Sequence, residues 1–305
     1  MVGPKLEEEQ MRSCVFVVLP LLGILMMAAA CGAEDGEYRK EIGPVETNWA
    51  DWLKGHPTIT MRYGLSSVNR DGLTVDFGNP GAVDLQLGYT NVKWFRERED
   101  LVEVGANWIS FASYSTDITN EEVDTGDLES QAWRFGFGRS EGAGYSLGSR
   151  GGMVLPYHSW SMGWSVTEID EADTETLSNK NKSLIKPFDD DTRFGTSWEG
   201  GLRIAPVGSL AFEAGYEQAI VLPRTKFWYW AMSTLLEEFA MGAIDEFVSS
   251  IADSSPRSAP VVGFLLKSGL EYGLYELRQE KMNWPFDTAP PLMYDTFKFG
   301  ICVKF

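Results

Sequence analysis

The sequence predicts an all-β chain, an antiparallel transmembrane β-barrel of about ten strands (range roughly 8 to 14) carrying an amphipathic helical insert. Three observations lead there. The last nine residues alternate without a break, with Phe297, Phe299, Ile301, Val303 and Phe305 on one face and Lys298, Gly300, Cys302 and Lys304 on the other. Several earlier runs alternate over lengths that reach the ~9–11 residues a tilted strand needs to cross a bilayer, beyond the ~5–6 usual in soluble sheets. After the N-terminal region no stretch of 18 or more apolar residues occurs, so a membrane role has to come from strands.

The N-terminal region has the pattern of an export signal. Val15 to Ala30 is uncharged and largely apolar, follows Arg12 and closes on Ala28-Ala29-Ala30, too short for a spanning helix and ending in small residues as a signal peptide over residues 1–30 would. Glu7-Glu8-Glu9 does not suit the basic start of such a signal, which makes Met11 an alternative first residue. Ala28-Ala29-Ala30-Cys31 resembles a lipobox, departing from it at Ala28 where Leu is usual. Lipidation of Cys31 and plain Ala-x-Ala cleavage both account for these residues. With Cys14 in the signal and Cys31 at the cut, only Cys302 remains in the body, so no intrachain disulfide framework is available. Residues 31–57 read as a polar N-terminal segment, in which Trp49, Trp52 and Leu53 suit a short helix that plugs or caps something.

Residues 58–305 read as the barrel. The first strands run from Thr58 to Leu65 and from Leu73 to Phe77, separated by Asn69-Arg70-Asp71-Gly72, whose Asp-Gly favours a tight hairpin. Val83 to Phe95 sets Val83, Leu85, Leu87 and Tyr89 against Asp84, Gln86, Gly88 and Thr90, and Leu101 to Tyr114 follows less regularly. The runs Ala132–Gly138, His158–Val166, Arg193–Ile204 and Leu210–Leu222 are cleaner, each with one aromatic or aliphatic face and one small or charged face. Val261 to Tyr275 and the C-terminal run complete the count. Two acidic loops, Ser115 to Ser130 and Ile169 to Asp191, suit the outer side of a barrel, while Pro206-Val207-Gly208 suits a short turn at the other end. Their acids follow no EF-hand spacing, and solvation explains them.

A helical stripe interrupts this pattern. Between residues 226 and 252, Met232, Leu235, Leu236, Phe239, Ala243, Ile244, Phe247, Val248 and Ile251 recur at helical spacing, with Glu237, Glu238, Asp245 and Glu246 on the opposite side and Pro256 ending the element. Interfacial helices usually carry Lys and Arg on their polar face. The acids here favour a helix packed across one mouth of the barrel, or partly inside it, over one lying on lipid. Phe227-Trp228-Tyr229-Trp230 at its start suits a membrane-interface anchor.

At its C-terminus the chain resembles bacterial outer-membrane β-barrel proteins, whose last strand ends on Phe with apolar residues at every second position back. Phe305, Val303, Ile301, Phe299 and Phe297 match that pattern. The resemblance implies an insertion signal read by the barrel-insertion machinery, location in a Gram-negative outer membrane, and lipid or lipopolysaccharide as surroundings.

Composition narrows the function further. A formal charge of −18 and a pI near 4.5 argue against nucleic acid, which needs a basic surface. Acidic loops are compatible with lipopolysaccharide bridged by divalent ions, and equally with simple solubility. His56 and His158 are the only histidines, metal-ligand clusters and phosphate loops are missing, and no cofactor is expected. His158 with Ser159 and Ser161 invites comparison with Ser–His lipid hydrolases of outer membranes, but neighbouring strand residues point to opposite faces and cannot pair. The charged residues placed on interior faces are Arg134, Arg193, Glu199, Arg203, Glu213, Glu217, Lys298 and Lys304. They suit either a salt-bridged interior or a narrow path for a small polar solute. The expected function is therefore porin-like transport or a structural outer-membrane role without catalysis. The rivals are a lipoprotein with a soluble β-sandwich tethered through Cys31, and a lipid-modifying barrel enzyme centred on His158.

Overall fold

The computed structural model describes residues 55–95, 100–119, 127–147, 151–170 and 177–305. The signal peptide, the Cys31 site and the segment up to residue 54 lie outside the described residues. Eight strands form one closed antiparallel barrel in sequence order, β1 His56–Asn69, β2 Gly81–Trp94, β3 Leu101–Ser115, β4 Ser130–Ser146, β5 Met153–Ile169, β6 Asp191–Val207, β7 Leu210–Val221 and β8 Leu292–Lys304. The C-terminal strand closes the ring by pairing with both β7 and β1. Closure excludes the soluble sandwich.

Alternation dictates which way each residue faces. On β1, Thr58, Thr60, Arg62, Ser66 and Val68 are buried while Ile59, Met61, Tyr63 and Leu65 are exposed. The same holds on β8, where Phe297, Phe299, Ile301 and Val303 point out and Thr296, Lys298 and Cys302 point in. Followed from partner to partner around the ring, Ile59 leads through Leu87, Ile109, Phe137, Met162, Thr196, Ile220 and Met293 to Asn69, ten residues further along β1. That stagger tilts the strands by roughly 35–45°, so even the shortest, at 12 residues, is long enough to cross a bilayer.

Two of the ten expected strands are corrected. Leu73 to Phe77 lies in the β1–β2 loop, where Phe77 makes one isolated bridge to Leu128, and its apolar residues pack into a cap. Gly72, at φ +82°, turns the chain into this loop. Val261 to Tyr275 is helical. Over so short an apolar run strand and helix periods are hard to separate, and the Ser258-Ala259-Pro260 start, with Pro in the first helical turn, favours the helix.

The two acidic loops carry the short helices α1 Thr116–Thr119 and α2 Asn179–Ile185, the latter capped by the Ser178 hydroxyl accepting from the Asn181 amide. The β7–β8 connection holds a helical hairpin, α3 Phe227–Ser254 and α4 Ala259–Glu280. It neither crosses a mouth nor enters the barrel, as the acidic face had suggested. It descends the outer wall. α4 packs on β4, β5 and β6, and the tip residue Arg257 reaches the turn end of the barrel, where its guanidinium donates to Asp100 and its carbonyl accepts from the Tyr145 hydroxyl. Of these acids only Glu237 is buried against the wall, where it meets Trp198 and Arg278, while Glu238, Asp245 and Glu246 are exposed.

Candidate functional site

The barrel interior is layered. At the long-loop end Phe77, Leu128, Ile185, Phe188 and Leu292 form an apolar cap drawn largely from the loops. Arg70 is buried in this cap with its guanidinium 5.3 Å from the Phe188 ring centroid, and burial lowers its pKa from the ordinary arginine value against the pull of Asp71. At the turn end Val102, Val104, Met153, Leu155, Ala205, Ala211 and Cys302 form a second apolar layer. Between the two lies a network of charges.

Arg62 on β1 donates from Nε and Nη2 to Asp84 on β2, at 3.1 and 2.5 Å, and from Nη1 to both oxygens of Glu199 on β6 at 2.7 Å. Lys298 on β8 donates to Asp84 at 3.2 Å and to Glu217 on β7 at 2.5 Å. Arg134 on β4 reaches the other oxygen of Glu217 at 2.8 Å and lies over the ring of Tyr114, whose hydroxyl it also contacts. Arg203 pairs with Glu213 at 2.7 Å beneath the ring of Tyr157, and the Tyr157 hydroxyl donates to Glu199 at 2.5 Å. Four cations thus meet four anions, and several bonds join strands that are not neighbours in the sheet. Glycines make the room: a Cβ on Gly300 would lie 2.5 Å from Cγ of Arg62, and one on Gly201 would lie 2.7 Å from Cζ of Tyr157.

Of the sequence candidates, Arg134, Glu199, Arg203, Glu213, Glu217 and Lys298 meet in this layer. Arg193 stands at the long-loop mouth paired with Asp191, and Lys304 stands half-buried at the turn end. Neither joins the network. Arg62, Asp84, Tyr114 and Tyr157 were missed, although Arg62 and Asp84 occupy the polar phase of clean alternations and that phase alone could have found them. Two cavities lined mainly by inward residues among the described ones are small, about 30 Å³ at the turn end and about 10 Å³ beside Arg134.

A second cluster lies outside, between the helical hairpin and the wall. Glu141 on β4 lies 3.0 Å from His158 Nε2 on β5 and 2.9 Å from Lys267 Nζ on α4, which also pairs with Asp245 on α3 at 2.6 Å. Trp198 Nε1 donates to Glu237, whose other oxygen accepts from Arg278, and the Arg278 guanidinium stacks on Trp198. A cavity of about 320 Å³ opens beside Glu141, His158, Phe264 and Lys267. His158 therefore has a carboxylate partner, but no described hydrogen bond links it to a serine. Ser159 faces the other way, donating to the Arg139 carbonyl.

A closed eight-stranded antiparallel barrel with an apolar outer belt, a charged interior, short turns at one end and long loops at the other is a transmembrane barrel of the outer-membrane type. The chain belongs to the outer membrane protein beta-barrel domain family, whose model matches residues 18–227, and its place is the outer membrane. No curated protein matches the sequence. Among solved structures it is similar to Neisserial surface protein A (10% identity, 82% of this chain and 97% of that one, TM-score 0.38). It is also similar to Ail, the attachment invasion locus protein of Yersinia pestis, solved with the heparin analogue sucrose octasulfate (12% identity, 83% and 100%, TM-score 0.31). OprG from Pseudomonas aeruginosa matches at 11% identity over 83% and 97% of the two chains, TM-score 0.28.

Proposed function

We propose that this protein is a sealed structural barrel rather than an open pore, without catalysis. The observation that carries the reading is the cross-barrel network, in which Arg62, Lys298 and Arg134 each tie together carboxylates or strands from different sides of the lumen. A solute passing through would have to separate buried ion pairs and leave each charge without its partner in the interior, which is strongly unfavourable. Apolar side chains also occupy the interior above and below the network. Among the described residues no hydroxyl bonds His158, which speaks against a Ser–His hydrolase, and Lys267 competes for the same carboxylate. On this reading the outward residues Phe297, Phe299, Ile301, Val303 and Phe305 serve the insertion machinery, and the acidic loops meet lipopolysaccharide through divalent ions. The test is swelling of proteoliposomes in isosmotic small sugars and amino acids. Rates equal to those of empty vesicles are expected, and solute-dependent swelling would overturn the sealed reading in favour of transport.

A further inference from the structure

We infer that the α3–α4 hairpin lies inside the bilayer as an extra wall of the barrel, its outer face against lipid acyl chains and its inner face shielding the charges of β4–β6. The inference starts from an asymmetry in the barrel's outer surface. Around β1, β2 and β8 the outward residues are apolar and exposed, among them Ile59, Met61, Leu85 and Phe299. On β4 and β5 the corresponding face carries Arg139, Glu141 and His158. Bare contact of such groups with lipid is costly, by about 2–4 kcal/mol for a basic residue at the midplane.

The hairpin covers that region, and its amphipathicity is turned inside out. The residues it buries include Ser233, Glu237, Glu271 and Arg278, whereas Trp228, Met232, Leu235, Phe239 and Leu265 are exposed. A helix docked on a water-soluble barrel would do the reverse. Of the acids on the exposed side of α3, Asp245 is held by Lys267 and Glu238 borders the cavity against the wall. Glu246 lies in the half nearest the tip. On α4 the exposed Glu276 and Glu280 lie in its last turns at the long-loop end. No described helix is long and apolar enough to cross a membrane alone, and this hairpin does not have to, because Ser233, Glu237, Glu271 and Arg278 are turned to the wall.

Height supplies the second argument. α3 leaves the long-loop end just after Leu222, and the tip bonds to Asp100 and Tyr145 at the turn end. Its 28 residues span about 42 Å at 1.5 Å each, more than the apolar band of about 25 Å on outer-membrane barrels. A bilayer that surrounds the belt of β1 and β8 therefore surrounds the hairpin as well. The exposed face of α3 and α4 continues an interface already assigned to lipid.

The experiment uses the full chain with Cys14→Ser, Cys31→Ser and Cys302→Ser, refolded in vesicles, carrying a fluorophore at Phe239→Cys on α3 or, in a second variant, at Leu265→Cys on α4. Met61→Cys on β1 serves as the lipid-facing reference. Lipids brominated along the acyl chain are expected to quench both hairpin labels as much as the reference, and aqueous iodide to leave them unquenched. Iodide quenching without bromolipid quenching would place the hairpin in water and overturn the inference. Labels quenched by neither, together with cross-linking between copies through the same cysteines, would assign the face to a second copy and overturn it as well.

Discussion

Glu217 is one of two carboxylates, with Asp84, that each hold two cations of the interior network: Arg134 and Lys298 both donate to it, and so does the Tyr114 hydroxyl at 3.3 Å. Glu217→Ala leaves two buried cations short of a partner and is expected to cost about 3–5 kcal/mol, read as a lower urea midpoint for the folded barrel in vesicles. Arg257→Ala is the contrasting case. Its pair with Asp100 is exposed, so the change is expected to cost about 0–1 kcal/mol. Gly201→Val tests the space rather than the charge, since its Cβ would meet both Tyr157 and the Ala214 carbonyl. Overpacking of this kind typically costs about 1–3 kcal/mol, and the same urea titration measures it.

At the scale of elements, the hairpin is held to the wall by Lys267, which bridges β4 and α3 from α4. Lys267→Met removes both bridges, leaving Asp245 without this partner and Glu141 with His158 alone, so protease cleavage near the tip at 255–258 is expected to speed up while the barrel stays resistant to SDS at room temperature. β8 is the complementary case, readable from the sequence because its alternation is local and uninterrupted. Phe305→Ala is expected to lower the yield of assembled barrel in cells, judged by heat-modifiable mobility. The strands were legible wherever one face met lipid and the other the interior, as in β1 and β8. The Leu73–Phe77 loop and α4 were not, because loop residues that fill a cap and helix residues that face lipid are apolar for reasons unrelated to strand period. Likewise the interior charges could be listed from alternation, but the partners of Arg62 lie 22 and 137 residues away and only the closed register brings them together.

For the whole molecule, three interior layers turn a closed sheet into a filled one. The charged middle layer ties opposite walls together, and apolar side chains pack above and below it. On the proposed sealed reading, such an interior stabilises the barrel without offering a route through it. The measurement that bears most directly on this account is ion conductance of the purified protein in a planar bilayer. A bilayer that remains silent after insertion is verified by protease protection is the predicted result. Stepwise, reproducible single-channel openings of the wild-type chain would contradict it.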